Sequence, residues 1–138
     1  MNKQKNLINK NRDSFKTSKD VIASLKYAFS GLIYCYKTTR NFRIQIFLGL
    51  LVLIFCFIFN SSLYEFLIII STIFSVLILE LLNTAIESIV DLNVKKKFNK
   101  LAKISKDCSA ASVLLASLNS ICVAAFVFFP KIRLLLFS

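Results

Sequence analysis

Long apolar runs interrupted by short polar segments dominate the pattern of this chain. Residues 44–64 and 108–130 contain no charged side chain, and residues 66–79 between them are also uncharged. A helix crosses the hydrocarbon core of a bilayer, about 30 Å thick, with roughly 20 apolar residues. Pro130 is expected to end the last run, because proline cannot donate a backbone hydrogen bond. The pattern predicts transmembrane helices over about residues 42–59, 63–91 and 106–130.

The part of the chain before the first long apolar run has two different patterns. Residues 1–18 are rich in Asn, Lys and Ser, which predicts a flexible tail. From about residue 20 to 38, apolar residues recur every three or four positions, with Lys26 and Lys37 on the polar side. This spacing predicts an amphipathic helix in the membrane interface. Residues 19–138 are then expected to form a single domain of the all-α membrane class.

Composition and charge agree with a membrane protein and give it an orientation. The 138 residues are 57% hydrophobic and carry a net charge of +11, with a mean hydropathy of +0.69. All but two of the Lys and Arg residues either precede residue 44 or lie between residues 95 and 106. Residues 60–65 contain none. This asymmetry predicts a cytoplasmic N-terminus. Nucleic-acid binding is disfavoured, because the aromatic residues lie in the predicted spans and not among the basic residues.

A polar stripe crosses the second apolar run. At 100° per residue, five side chains fall within an arc of about 100° on one helix face: Glu80, Asn83, Thr84, Glu87 and Asp91. An ionised side chain near the centre of a bilayer costs roughly 2.5 kcal/mol or more, so intramembrane carboxylates point to function. The stripe begins inside the cytoplasmic leaflet and is expected to end in water.

The polar stripe also has a structural interpretation. Asn83 and Thr84 can hold membrane helices together by hydrogen bonds worth around 1 kcal/mol. That interpretation does not account for Glu80 and Glu87, since a buried carboxylate needs a proton or a cation. Lys106 is the nearest basic candidate in the sequence, and a bound metal is the other. Mg²⁺ prefers a few carboxylates together with phosphates, which favours a metal nucleotide.

Several other kinds of site are disfavoured by the sequence. The chain has no GxxxxGK[ST] loop and only two glycines, Gly31 and Gly49, so a glycine-rich phosphate loop is excluded. Its four cysteines show no CxxC spacing and it has no histidine, which argues against a zinc site. Any nucleotide must therefore be held by side chains and a metal.

From about residue 24 to 130 the sequence resembles the small prokaryotic integral-membrane lipid kinases, the diacylglycerol kinase and undecaprenol kinase family. The central motif, Glu-Leu-Leu-Asn-Thr-Ala-Ile-Glu at residues 80–87, is highly specific for that family. The flanking motifs have the same order and spacing around three spans. They are Tyr27-Ala28-Phe29-x-Gly31, Arg40-Asn41-Phe42-Arg43, Val90-Asp91, Leu101-Ala102-Lys103 and Lys106-Asp107.

The resemblance implies an activity and assigns roles to residues. It implies ATP- and Mg²⁺-dependent transfer of a phosphoryl group to the hydroxyl of diacylglycerol or undecaprenol, in a homotrimer of the bacterial plasma membrane with active sites shared between subunits. Glu80 matches the catalytic base, and Glu80 with Asn83 matches the lipid-binding residues. Glu87 matches a metal ligand that also belongs to the nucleotide site. The remaining nucleotide contacts are Tyr27, Lys106 and Asp107.

Three positions depart from the family pattern. Relatives usually carry a second metal-binding glutamate just before the Arg-Asn pair, where this chain has Thr38 and Thr39. Asn99 and Gln45 stand where relatives often have histidine. A threonine hydroxyl or water is expected to complete the metal shell, because Mg²⁺ commonly keeps several waters.

Two alternatives to a kinase remain open at this level. A non-catalytic scaffold derived from such a kinase would explain the missing glutamate. A small ion-conducting oligomer would use the intramembrane carboxylates, although a stripe confined to one leaflet does not form a path through the bilayer.

Overall fold

The computed structural model describes residues 21–95 and 98–137, and that part of the chain contains four α-helices. The helices are α1 (Val21–Thr38), α2 (Arg40–Ile58), α3 (Leu63–Val94) and α4 (Lys100–Phe137). Helices α2, α3 and α4 are long and apolar enough to cross a membrane. The predicted all-α class with three such helices is confirmed, whereas the tail expected over residues 1–18 lies outside the described residues.

Helix α1 contains the boundary between the two compact units of the chain, which falls between Tyr34 and Cys35. The helix stops at Thr38 because Thr39 adopts an extended conformation, with φ −99° and ψ 113°, and occupies the N-cap position of α2. Arg43 donates to the carbonyl oxygen of Lys37 at 3.3 Å, which satisfies one of the last carbonyls of α1. The start of α2 is thereby tied to the end of α1.

A short turn joins α2 to α3, and several polar contacts hold it in place. Asn60 adopts a left-handed conformation with φ 47°. Ser62 and Glu65 form a capping box at the start of α3, with the Ser62 N–H donating to Glu65 Oε2 at 2.6 Å. Lys131 of α4 lies 2.9 Å from the same carboxylate oxygen. Glu65 therefore joins the cap of α3 to the far end of α4.

Helix α3 packs against both other long helices and contacts α4 more extensively than α2. A buried cluster of Cys56, Ile69, Val127 and Phe128 brings the three helices together near the turn. Further from the turn, Gly49 of α2 lies against Ile73 of α3. A Cβ atom at residue 49 would be 3.0 Å from Ile73 Cγ2, so the glycine allows the two helices to approach closely. Small residues thus set the spacing of the helices that surround the polar stripe.

Helix α4 continues past Pro130 to Phe137, so the expectation that Pro130 ends it is wrong. Proline at this position removes the backbone bond to the carbonyl of Phe126, but membrane helices tolerate that loss where neighbouring groups and local adjustment compensate. The Lys131–Glu65 ion pair fixes the turn that follows the proline. The helix therefore continues through the proline, and the residue after it is tied to the start of α3.

Ile69 provides a test of the packing around α3. Its side chain is only 1% exposed, so we expect Ile69→Ala to lower the free energy of unfolding in detergent by about 2 kcal/mol, near the lower end for buried aliphatic residues. The lower end is expected because lipid or detergent leaves the unpacked helix in apolar surroundings, so that mainly the packing contribution is lost. Leu67→Ala on the exposed side of α3 is the control. Equal destabilisation by the two variants would contradict this packing.

Candidate active site

Glu80 lies on α3 at the contact with α2. Its side chain is 1% exposed, and Glu80 Oε2 accepts a hydrogen bond from Gln45 Nε2 at 3.1 Å. Within the described part of the chain, neither Glu80 Oε1 nor Gln45 Oε1 has a hydrogen-bond partner. Buried polar atoms are normally paired, and exceptions mark functional positions or missing ligands. One carboxylate oxygen is therefore oriented by α2, while the other is buried and has no partner in the described chain.

A pair of threonine hydroxyls connects the start of α2 to the same turn of α3. Thr84 Oγ1 donates to the carbonyl oxygen of Glu80 at 2.9 Å. Thr39 Oγ1 lies 3.5 Å from Thr84 Oγ1. Because the Thr84 proton is used, Thr39 is the donor in this long contact. The residue that replaces the expected second metal-binding glutamate is thus directed at the polar stripe.

One turn further along α3, Asn83 and Glu87 contact each other and α4. Asn83 Nδ2 donates to Glu87 Oε1 at 3.3 Å, and Ser109 Oγ of α4 donates to Asn83 Oδ1 at 2.6 Å. Asn83 and Ser109 are buried, whereas Glu87 is half-buried. The structure therefore brings Asn83 and Glu87 together and adds Ser109, which the sequence motif did not single out.

The water-facing end of the stripe contains an ion pair. Lys106 Nζ of α4 lies 2.5 Å from Asp91 Oδ1. The sequence made Lys106 the nearest basic candidate for Glu80 and Glu87, and this pairing is wrong in the structure. Asp91 lies one turn beyond Glu87 on α3, so it is the carboxylate that α4 brings within reach of Lys106.

A cavity of about 440 Å³ opens beside this ion pair. It combines positive charge, carboxylates and one aromatic side chain. Its lining consists of Val90, Asp91, Val94, Phe98, Asn99, Ala102, Lys103, Lys106 and Asp107. Phe98 was not singled out from the sequence, and it is an exception to the expectation that aromatic residues lie in the spans and not among the basic residues. An aromatic residue within a basic loop is a signal for stacking on a nucleobase.

Two of the predicted nucleotide-site residues, Lys106 and Asp107, therefore share one cavity. Tyr27, the other aromatic candidate, lies on α1 with its side chain 69% exposed. Glu87 lies along α3 between buried Glu80 and exposed Asp91. The stripe therefore has three levels: the Gln45–Glu80 pair, Glu87, and the Lys106–Asp91 pair.

The donor set fits a magnesium ion delivered with a nucleotide and does not fit an all-protein metal cage. Among the described residues no group of three or more His, Cys, Asp or Glu side chains lies close enough to hold a metal. Mg²⁺ is commonly bound by one or two carboxylates together with phosphates and water. Glu87 supplies such a carboxylate one turn from Asp91, which lines the cavity together with Lys103 and Lys106. Phosphate oxygens would have to provide most of the other ligands.

Comparisons with known proteins agree with this arrangement. The profile described as Prokaryotic diacylglycerol kinase matches residues 26–128. The chain belongs to the prokaryotic diacylglycerol kinase family. It is 36% identical to a diacylglycerol kinase of Synechocystis over 88% of this chain and 69% of the relative. It is 37% identical to the undecaprenol kinase of Bacillus subtilis over 79% of this chain and 88% of the relative.

Membership of the prokaryotic diacylglycerol kinase family confirms the resemblance found in the sequence and makes the chain a lipid kinase. The matched region contains the whole polar stripe together with Tyr27, Lys106 and Asp107. It also contains Gln45 and Ser109, the two residues that contact the stripe from α2 and α4. The family match therefore includes every residue of the candidate site.

Gln45 is expected to matter because it orients Glu80. Gln45→Leu keeps a side chain of similar size but removes the donor, so we expect turnover with lipid to fall on the order of 10- to 100-fold. Steady-state phosphorylation of lipid in mixed micelles measures this change. Leu48→Ala, one turn further along α2, is the control. Unchanged turnover in folded Gln45→Leu protein would contradict the orienting role.

Proposed function

We propose that this chain transfers the γ-phosphoryl group of ATP to the hydroxyl of a membrane lipid, with Mg²⁺ accompanying the nucleotide. The observation that carries the proposal is a buried carboxylate with one oxygen unpartnered in the described chain, on a helix that also lines an exposed cavity with two lysines and two aspartates. The first suits a lipid hydroxyl and the second suits a nucleotide. Relatives named diacylglycerol kinase and undecaprenol kinase support both substrate types for this chain.

Glu80 is the proposed catalytic base, acting through its unpartnered oxygen. The lipid hydroxyl gives its proton to Glu80 Oε1 as its oxygen forms a bond to the γ-phosphorus. The bond from that phosphorus to the oxygen bridging to the β-phosphate breaks, and ADP leaves. Gln45 holds the other carboxylate oxygen. Asn83, one turn along the same face, is proposed to contact the lipid head together with Glu80.

The nucleotide and metal are assigned to the exposed part of the stripe. Glu87 is the proposed metal ligand, and Lys106 and Asp107 are proposed to contact the nucleotide, with Tyr27 as a further contact. Mg²⁺ supplies charge neutralisation on the phosphates, and phosphoryl transfer depends chiefly on such neutralisation and on positioning. Lys106 is free to contact a phosphate when it leaves Asp91, since their ion pair is largely exposed.

The length of α3 supports a site that joins membrane to water. Its 32 residues span about 48 Å at 1.5 Å per residue, which exceeds a hydrocarbon core of about 30 Å. Glu80 and Asp91 are separated by about 16 Å along the helix axis. This separation exceeds the length of a triphosphate chain alone, so a nucleotide held near Asp91 would have to extend its phosphates along the stripe, past Glu87, towards a lipid hydroxyl at the level of Glu80.

We further propose the assembly and orientation that such an enzyme requires. A homotrimer would cover the exposed sides of the site, and positive charge on the N-terminal side places the N-terminus in the cytoplasm of a bacterial plasma membrane. Helix α1 is proposed to lie in the interface as an amphipathic helix, and residues 19–138 to act as one domain. Phospholipid or polyprenyl-phosphate metabolism would use the product.

Glu80→Gln provides the direct test of the proposed base. The amide retains the shape of the side chain but cannot accept the proton, so we expect turnover to fall about 10²- to 10⁴-fold. Purified protein in bilayers is supplied with γ-labelled ATP, Mg²⁺ and either diacylglycerol or a polyprenol, and labelled lipid is counted. Equal turnover by wild type and folded Glu80→Gln would refute the role. Absence of labelled lipid for both acceptors in wild type would favour the scaffold.

Thr39→Glu tests whether the missing glutamate limits the enzyme. Thr39 lies beside Thr84 at the stripe, so a longer carboxylate there is expected to add a metal ligand. We expect the Mg²⁺ concentration for half-maximal activity to fall about tenfold, the scale of outer contacts to a metal. Thr39→Gln, which has the same length without the charge, is the control. A fall in both variants would show that charge is not the cause.

A further inference from the structure

We infer that Ser109 of α4 is a positioning residue that sets the orientation of the Asn83 amide and, through it, that of the Glu87 carboxylate. This inference rests on the proposed function, in which Glu87 binds the metal that accompanies the nucleotide. No sequence motif pointed to Ser109, because its partner Asn83 lies on another helix and is 26 residues away in the chain.

The distances define a chain of three side chains from α4 to the metal ligand. Ser109 Oγ lies 2.6 Å from Asn83 Oδ1, and Asn83 Nδ2 lies 3.3 Å from Glu87 Oε1. Ser109 is 6% exposed and Asn83 is 9% exposed, so water has little access to their contact. Since Asn83 Oδ1 accepts from Ser109, the amide nitrogen must face Glu87.

The opposite orientation of the amide is disfavoured at the Glu87 end. Turning Asn83 by 180° would place its oxygen against the Glu87 carboxylate, and two acceptors there would repel each other. The Ser109 hydroxyl also lies 2.9 Å from the carbonyl oxygen of Lys106, which can take its proton instead. In that case Ser109 would no longer fix the amide. The contact with Asn83 is the shorter of the two, at 2.6 Å against 2.9 Å, so the proton is assigned to Asn83 Oδ1.

Ser109 differs from the next two serines on α4, whereas Ser120, further along, contacts Thr72 of α3 at 3.4 Å. Ser112 donates to the carbonyl oxygen of Ser109 at 2.6 Å, and Ser117 donates to that of Val113 at 2.9 Å. Both contacts lie within the helix, and such local bonds are common for serine in helices. The Ser109 hydroxyl also reaches a buried amide on α3. Ser112→Ala is thus a matched control for loss of a hydroxyl from α4.

Removal of the Ser109 hydroxyl has two consequences, one for Asn83 and one for Glu87. Asn83 Oδ1 would be buried without its donor, which is costly for a polar atom. The amide would then be free to turn, and Glu87 would lose a fixed donor on one carboxylate oxygen. Outer contacts of this kind orient metal ligands, and their loss typically weakens metal affinity about tenfold or more.

The test measures metal binding without turnover. Mn²⁺ is titrated into full-length protein in detergent with a non-hydrolysable ATP analogue, and free Mn²⁺ is followed by electron paramagnetic resonance. We expect Ser109→Ala to weaken Mn²⁺ binding about tenfold, whereas Ser112→Ala leaves it unchanged and Ser109→Thr, which keeps the hydroxyl, restores it. Ser109→Cys, a near-isosteric weak donor, replaces Ser109→Ala if helicity or thermal unfolding shows that the alanine variant does not fold.

Two outcomes separate this inference from the proposed function. If wild type binds Mn²⁺ only as strongly as Glu87→Gln does, the assignment of Glu87 to the metal is wrong, and the inference fails with it. If wild type binds Mn²⁺ through Glu87 but Ser109→Ala and Ser109→Cys bind equally well, the inference alone is overturned. In an Asn83→Ala background, Ser109→Ala must have no further effect, because Ser109 acts through that amide.

Discussion

The structure depends on the need to satisfy Glu80, an ionisable side chain buried within an apolar helix. Its burial is costly unless a partner is provided, and hydrocarbon offers none. Helix α2 supplies Gln45 for one carboxylate oxygen, and the close approach that this requires is permitted at Gly49. The other oxygen remains without a partner in the described chain. The helices that form the core thus orient the carboxylate without neutralising it.

The polar stripe on α3 changes its environment along its length. Near Glu80 the neighbours are neutral amides and hydroxyls, because a full charge there would require desolvation of two ions. At Asp91 the neighbour is a lysine, because water lowers the cost of bringing the two charges together. One helix can therefore present a neutral surrounding to a lipid hydroxyl and a charged surrounding to phosphates. The length of α3 beyond the hydrocarbon core makes this gradient possible.

The departure at Thr39 illustrates how a family site can differ without losing its connections. The residue still contacts α3, through Thr84, at the turn that carries Glu80. What is lost is a negative charge that would help to hold a cation. Under the proposed function Mg²⁺ would complete its shell with phosphates and water, so the carboxylate of Glu87 would become more important, and so would the side chains that hold it in one orientation.

The sequence by itself determined the three long apolar helices, the face that Glu80, Glu87 and Asp91 share, and the family, because these follow from local composition, helical periodicity and a specific motif. It did not determine the partners of that face. Gln45, Ser109 and Lys106 are 35, 26 and 15 residues from the side chains they contact, so their roles depend on which helices pack together and in which register. Pro130 shows the limit of a local signal in the same way. The loss of one backbone bond at this proline does not end α4, which continues to Phe137.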